Sequence, residues 1–293
     1  MNTQTPAITI SSSELNQLSR WMESASGVHL DSNKAYLFES RLQDLLTEYK
    51  LQSFTQLHER VRSAPNSEIG KKTLELLLTR ETSFFRDTIP FDLLRNKIIP
   101  GYVSNSRAGF LKLKIWCAAC STGQEVYSVA MAVSDVLGAS SSHDIRILGT
   151  DISDDAIAKA SYGEYSDLEI ARGMDPMRLS RYFVKTANGF RISDPVRAMV
   201  SFTKLNLLED FMHLGRYDII FCRNIAIYFR PETRGALFGR LAESLTEKGI
   251  LVVGASEMLH GLEKVLSRNM EQKAVYYQKL PTPGNFPILC KPL

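Results

Sequence analysis

"IWCAACSTGQE", residues 115–125, is the stretch whose reading decides the fold. It can be read in two ways. A Trp ahead of Cys117-x-x-Cys120 suits the redox centre of a thioredoxin-like domain. The same residues suit a buried strand that runs into a tight loop of small residues before a helix. In a redox domain the cysteine pair starts the helix directly after the strand. Here Ser121, Thr122 and Gly123 continue as loop, and helix character resumes only around Glu125, so the second reading accounts for more of the stretch. It makes Cys117 and Cys120 small, buried and inert.

The surroundings agree with a strand and its loop. After about residue 110, apolar strand-like runs alternate with helical stretches: "LKLKIWCA" then "EVYSVAMAVSDVL", "DIRILGTD" then "SDDAIAKASY", "AMVSFTKLNLL", "YDIIFCRN" then "PETRGALFGRLAESL", and "GILVVGAS". "AVYYQKL" is one further strand candidate, its tyrosines suited to a sheet. Strands alternating with helices predict βαβ units, an α/β fold with a mostly parallel sheet. Residues 11–80 have a different texture. "SSSELNQLSRWMES" opens with Ser ahead of Glu and repeats Leu15, Leu18 and Met22 at helical spacing. "NKAYLFESRLQDLLTEY" places Leu37, Leu42, Leu45, Leu46 and Tyr49 on one side, and two more helical stretches follow around "SAPNS". This part is expected to be a small all-helical domain.

In a doubly wound sheet, ligands sit at the carboxyl ends of the strands, where strand order reverses. The loop after the first strand must let its backbone approach the ligand, and Ala118, Ala119, Ser121, Thr122 and Gly123 are small enough. An acidic residue ending the next strand accepts hydrogen bonds from ribose hydroxyls, and Asp151 stands there. Asp151 can also be read as a helix cap for "SDDAIAKA". The P-loop pattern is absent, and so is G-x-G-x-x-G: Ala119, Ser121 and Gly123 form A-x-S-x-G instead. One glycine where dinucleotide binders use several argues against a pyrophosphate. S-adenosyl-L-methionine has no phosphate and tolerates this loop.

The chain has 293 residues, 44% hydrophobic and 23% charged, the composition of a globular protein with room for one large and one small domain. A net charge of +3 is far from the basic stripe of a nucleic-acid binder. No apolar run approaches a membrane span, and "MNTQTPAITISSSE" does not read as a secretory signal. Four cysteines are too few for a disulfide framework and fit a reducing, cytoplasmic setting. Cys222 lies in an apolar run and reads as core; Cys290 lies in a Pro-rich tail. No His clusters with the cysteines, so no metal site is expected.

Taken together, the segments "TRETSFFRD" (79–87), "WCAACSTGQEVYSVAM" (116–131), "LGTDIS" (148–153), "FCRNIAIYF" (221–229) and the shorter "LNLL" (205–208) resemble the chemotaxis receptor methyltransferases of the CheR type, in order and in spacing. The likeness spans nearly all of residues 11–280. It implies a helical N-terminal domain (1–80), a linker contributing to the cofactor site (81–90) and a class I, Rossmann-like methyltransferase domain (91–280); the remaining residues (281–293), Pro-rich, are expected to be a flexible tail. It implies methyl transfer from S-adenosylmethionine to glutamate γ-carboxylates on the cytoplasmic helices of chemoreceptors, by a cytoplasmic monomer. Carried over by position, Thr82 and Arg86 approach the methionine end of the cofactor, Arg86 through a guanidinium fork that matches a carboxylate. Glu125 matches the acid near the amino group and Asp151 the ribose ligand. Asn206 and Leu207 match the adenine contacts, and Arg223 and Asn224 the residues closing the site. Tyr228 matches the tyrosine near the transferred methyl, so Tyr228 and Arg86 are the candidate catalytic residues.

The sequence departs from that family in three places. Arg80 stands where the family usually has Asn, so no cofactor contact is carried onto it. Gln124-Glu125-Val126 replaces Glu-Glu-Pro but keeps the second acid. "ESRLQDLLTEYK" mixes Glu39, Asp44 and Glu48 with Arg41 and Lys50 where the family's second helix is often rich in Arg. Between "RYFVK" and "MVSFTKLN" there is only "TANGFRISDPVRA", a hairpin-sized stretch that looks shorter than in members that grip a receptor tether. Each site residue also has a bland reading: Arg86 as a surface charge beside buried aromatics, Tyr228 and Phe229 as core aromatics. Arg223-Asn224, directly after the apolar "DIIFC", sits where strand ends meet ligands. Two other functions stay open, a non-catalytic cofactor- and receptor-binding regulator and a methyltransferase acting on another substrate. Against an amine substrate, no Asp/Asn-Pro-Pro-Tyr-type element is present.

Overall fold

The computed structural model describes residues 8–106, 110–138, 143–271 and 273–281. Cys290 and all of the tail but Pro281 lie outside the described residues. Two compact units emerge. One comprises the chain up to Arg80 together with Tyr228–Thr233; the other comprises Glu81–Ile227 and the chain from Arg234 on.

Among the described residues the smaller unit carries the α-helices α1 (Ser12–Ser26), α2 (Ala35–Glu48), α3 (Phe54–Ser63) and α4 (Glu68–Leu77). The Ser-x-x-Glu start of α1 is a capping box: the Ser11 side chain accepts from the Glu14 N–H, and the Glu14 carboxylate accepts from the Ser11 N–H. The helix buries Leu15, Leu18, Trp21 and Met22 and ends at Gly27 in the left-handed region. In α2 the buried residues are Phe38, Leu42, Leu45 and Leu46. Phe38 takes the core position expected for Leu37, because spacing counted back from Leu42 and Leu45 reaches 38 on the same face. The returning segment is tied to the end of α1. The His29 N–H donates to the Tyr228 carbonyl at 2.8 Å, and Arg230 pairs with Glu23.

The larger unit begins with α5 (Ile89–Leu93), a π-helical turn (Leu94–Ile98) and α6 (Ile99–Ser104). Its main sheet contains β1 (Lys112–Ala118), β2 (Asp144–Asp151), β6 (Val200–Lys204), β7 (Tyr217–Cys222), β8 (Leu245–Val253), β9 (Leu266–Glu271) and β10 (Ala274–Lys279), in the order β6-β2-β1-β7-β8-β10-β9. Pairing is parallel from β6 through β8 and antiparallel at β10 and β9. The fold is therefore the mostly parallel α/β class read from the sequence. From Ile115 to Ala118, β1 is buried on both faces. Ile115 and Cys117 join Ile147, Ile219 and Phe221 in the core with Val126, Val129 and Val133 of α7 (Gln124–Leu137). On the other face Trp116 packs edge-on against Phe211 and donates to Thr150 Oγ1 at 2.9 Å. α8 (Asp154–Tyr162) follows β2. The hairpin-sized stretch supplies β5 (Phe190–Ile192), which pairs with β4 (Phe183–Lys185) just before it, and β3 (Glu164–Tyr165) adds a third antiparallel strand. Strand order departs in opposite directions from β1, which puts the switch point at its carboxyl end.

Candidate functional site

Four parallel strands end at one level. Ala118 is paired with both Thr150 and Cys222, and Asp151 with Lys204, so the loops leaving β1, β2, β6 and β7 share one rim.

The loop after β1 is shaped by its own backbone. Ala119, Ser121 and Gly123 have φ of +57°, +50° and +91°, a conformation uncommon outside glycine. At Gly123 a Cβ would lie 2.8 Å from the Ala160 Cβ and 3.1 Å from the Tyr165 hydroxyl, so nothing larger fits without displacing them. The Cys120 N–H donates to the Thr150 carbonyl at 2.8 Å, and the Tyr165 hydroxyl to the Thr122 carbonyl at 2.8 Å. Asp151 accepts from the Ser121 N–H (2.8 Å) and the Ser153 N–H (3.0 Å). Ser153, not Asp151, caps α8, its side chain accepting from the Ala156 N–H at 3.0 Å. The capping alternative for Asp151 is thereby removed. Its carboxylate marks the strand end beside the loop.

The loop after β7 carries charge. Arg223 is 5% exposed. Its Nη1 donates to Glu125 Oε2 at 2.9 Å, and its Nη2 to Asp87 Oδ2 and to the Arg86 carbonyl, each at 3.0 Å. The guanidinium lies 5.7 Å from the Phe91 ring centroid, and its buried Nε has no hydrogen-bond partner. Burial pushes the Glu125 carboxyl above its ordinary value. The charge and hydrogen bond of Arg223 oppose that push, Glu257 adds to it, and the charge of Arg86 opposes it. Arg223, Glu125, Asp87 and Arg86 thus form one electrostatic cluster. Asn224 follows with φ +59°.

The segment 81–90 is anchored rather than loose. Phe84 packs edge-on against Tyr165 (4.9 Å between centroids) and Phe183 (5.5 Å), and the Phe85 N–H donates to Ser128 Oγ at 2.9 Å. Arg86, half-buried, donates to the Glu81 carbonyl at 3.1 Å, while Thr82 lies half-buried four residues earlier. After β6, the Leu205 N–H donates to the Asp151 carbonyl at 2.9 Å, which sets Asn206 and Leu207 beside that strand end. Asn206 Oδ1 accepts from the Leu208 N–H at 3.0 Å, and Arg240 holds the Leu207 carbonyl at 2.6 Å. Arg80 belongs to the helical unit, where it pairs with Glu75 at 2.7 Å. Tyr228 also groups with the helical unit, through its carbonyl, and Phe229 beside it is buried. Sequence reasoning missed Glu257. It is 2% exposed and accepts the backbone N–H groups of Asn224 and Ala226. The only available signal was an acid four residues past the apolar run of β8.

Cys117, Cys120 and Cys222 are free and buried, and burial pushes each thiol well above its ordinary range. Such cysteines are poor nucleophiles, so the redox reading fails on chemistry as well as spacing. Among the described residues no group of His, Cys, Asp and Glu could hold a metal, and no helix is long and apolar enough to cross a membrane.

A close-approach loop after the first strand, an acid ending the second, and a carboxylate–guanidinium cluster able to meet an amino acid's two charges fit S-adenosylmethionine. Fold and site together define a class I S-adenosylmethionine-dependent methyltransferase. Residues 80–275 match the model for the CheR methyltransferase SAM-binding domain, and residues 13–71 that for the CheR methyltransferase all-alpha domain. The chain belongs to the CheR methyltransferase family. It is 38% identical over 259 residues to a chemotaxis protein methyltransferase of Vibrio parahaemolyticus, covering 87% of this chain and 93% of the relative. It is 36% identical over 253 residues to chemotaxis protein methyltransferase Cher2 of Pseudomonas putida (85% and 91%), and 31% identical over 262 residues to a chemotaxis protein methyltransferase of Borreliella burgdorferi (87% and 91%).

Proposed function

We propose that the protein is a cytoplasmic, monomeric protein-glutamate O-methyltransferase that esterifies glutamate γ-carboxylates on the cytoplasmic helices of chemoreceptors. The observation that carries this reading is the end of β7. An amine acceptor calls for a polar, proton-accepting Asp/Asn-Pro-Pro-Tyr-type element there. This chain has Arg223-Asn224 in that place, with the guanidinium buried among carboxylates.

S-adenosylmethionine, when bound, supplies a methyl group on a positively charged sulfur. The acceptor glutamate is already ionised near neutral pH, its reference pKa being roughly 4.3, so the chain need supply no general base. Its work is to orient the acceptor and to exclude water. Asp151 is assigned the ribose hydroxyls, Glu125 the ammonium, Thr82 and Arg86 of the 81–90 linker the methionine carboxylate end, Asn206 and Leu207 the adenine. Arg223 and Asn224 close the site, and Tyr228 with Arg86 orients the reacting groups. The burial of the Glu125 carboxyl, which Arg223 offsets in part, is consistent with its assignment, since a second cation beside it would stabilise the charged form.

The test is transfer of radiolabelled methyl groups to cytoplasmic fragments of chemoreceptors, followed by mild alkali. Label that is released as methanol supports a glutamyl ester. Alkali-stable label, or label that enters only nucleic acid or small amines, rejects the assignment.

A further inference from the structure

Glu257 lies on the short segment after β8, and none of the roles assigned above uses it. Its Oε2 accepts backbone N–H bonds from Gly254 (2.7 Å) and Asn224 (2.9 Å), and its Oε1 accepts one from Ala226 (2.8 Å). A buried carboxylate is costly unless hydrogen bonds compensate it, and three backbone donors reach its two oxygens here. Two come from the loop after β7 and one from the end of β8. A single side chain therefore ties the ends of two neighbouring strands together. Asn224 stands in the left-handed region, which asparagine tolerates but does not by itself impose. Gly254 completes the arrangement. A Cβ there would lie 2.7 Å from Glu257 Oε2 and 3.0 Å from Asn224 Nδ2.

We propose that Glu257 is a positioning residue of the methyltransferase site: its carboxylate sets the backbone of residues 223–226 and so aims Arg223 and Asn224. The proposal rests on the reading of those two residues as the ones closing the cofactor site. Glu257 acts through them and touches no reactant. A glutamine at 257 keeps the volume but turns an NH2 group toward a backbone N–H, so at least one of the three bonds is lost. An aspartate keeps the charge and shortens the reach.

The experiment uses the full chain and S-adenosylhomocysteine as the probe, with calorimetry well below the melting temperature. Glu257→Gln is expected to weaken binding about tenfold or more, Glu257→Asp less, and Gly254→Ala in the same direction through the crowded carboxylate. Amide hydrogen exchange should accelerate at Asn224, Ala226 and Gly254 while the strands keep their protection. A purely structural role would lower the melting temperature and leave affinity and local exchange unchanged, and that result overturns the proposal. Should a variant not fold, the parent decides: rapid exchange of those three amides in the unaltered protein also overturns it. Unchanged affinity in Asn224→Ala would instead overturn the reading of the loop on which the proposal rests, whatever Glu257→Gln does.

Discussion

The loops after β1 and β7 leave adjacent strands at the same level, with Ala118 paired to Cys222, and both contain backbone in the left-handed region. They reach that conformation by different means. The first uses small residues: Ala119, Ser121 and Gly123 adopt positive φ, and the loop's own backbone groups bond to the Thr150 carbonyl, the Asp151 carboxylate and the Tyr165 hydroxyl. The second uses charge from far along the chain. Arg223 is held by Glu125 and Asp87, and the amides of Asn224 and Ala226 are held by Glu257. A loop of the first kind is limited first by the size of its own residues, as the space at Gly123 shows. A loop of the second kind depends on partners that can be removed one at a time.

The largest effect should come from breaking the charged loop at its centre. Arg223→Met leaves the largely buried Glu125 without its cation and should cost about 3 kcal/mol of stability in urea denaturation, the scale for removing one partner of a buried pair. Little of that belongs to Asp87, whose side chain is 47% exposed. Adding Glu125→Gln should restore part of the loss. Strict additivity of the two changes would mean that the ion pair does not couple them.

Next is the acid shared by the first loop and the ribose. Charge-assisted hydrogen bonds are worth roughly 1.5–3 kcal/mol each. Asp151→Ala should weaken S-adenosylhomocysteine binding by on the order of ten- to a hundredfold, at about 1.4 kcal/mol per decade. Tyr228→Phe makes the contrast. It should leave that affinity nearly unchanged and lower the single-turnover transfer rate, the pattern of an interaction felt mainly in the transition state. A parent-like rate in Tyr228→Phe would remove its catalytic assignment.

A smaller effect is a pH dependence. The folded Glu125 carboxyl titrates above its ordinary 4.5. A group raised in this way favours the folded state fully below 4.5, and that contribution is lost as pH rises through the folded value. The stability of Glu125→Gln relative to the parent should therefore increase with pH across that window. A difference that stays flat from pH 4 to 8 would mean that Arg223 compensates the burial completely.

The smallest effect is expected inside the strand that feeds the first loop. Replacing Cys117 and Cys120 together by Ala should leave methyl transfer within about twofold, since both thiols are buried and pushed far from ionisation. Activity that depends on a reducible bond between them would reverse the reading of the stretch.

Much of the fold was legible because its signals are local. β1, β2, β7 and β10 coincide with apolar runs bounded by turn residues, and the start of α1 shows its Ser-x-x-Glu cap. β9 was not legible. "LSRNME" has neither alternation nor an apolar run, and it is a strand because β10 offers an antiparallel edge. β3 is two residues long, and it too exists only because β5 pairs with it. Phe38 displaced Leu37 from the expected face: "YLF" gives three adjacent candidates, and the spacing from Leu42 and Leu45 selects the third.

By itself the sequence determined that residues 115–125 are strand, loop and helix, that Asp151 closes the second strand, and that Arg223-Asn224 closes another. Each follows from apolar runs, small residues and polar strand ends that lie next to one another in the chain. Only the tertiary structure decided that Ser153 caps α8 in place of Asp151, that residues 228–233 group with the helical unit, and that Glu257 holds Asn224, Ala226 and Gly254. The Ser153 cap is local, three residues from its partner, but Asp151 offered an equally local alternative and only the fold chose between them; for Asn224 and Ala226 the reason is separation along the chain. A hydrogen bond between groups 31 or 33 residues apart leaves no local pattern, and a glutamate in "GASEM" reads the same whether water or three backbone amides surround it.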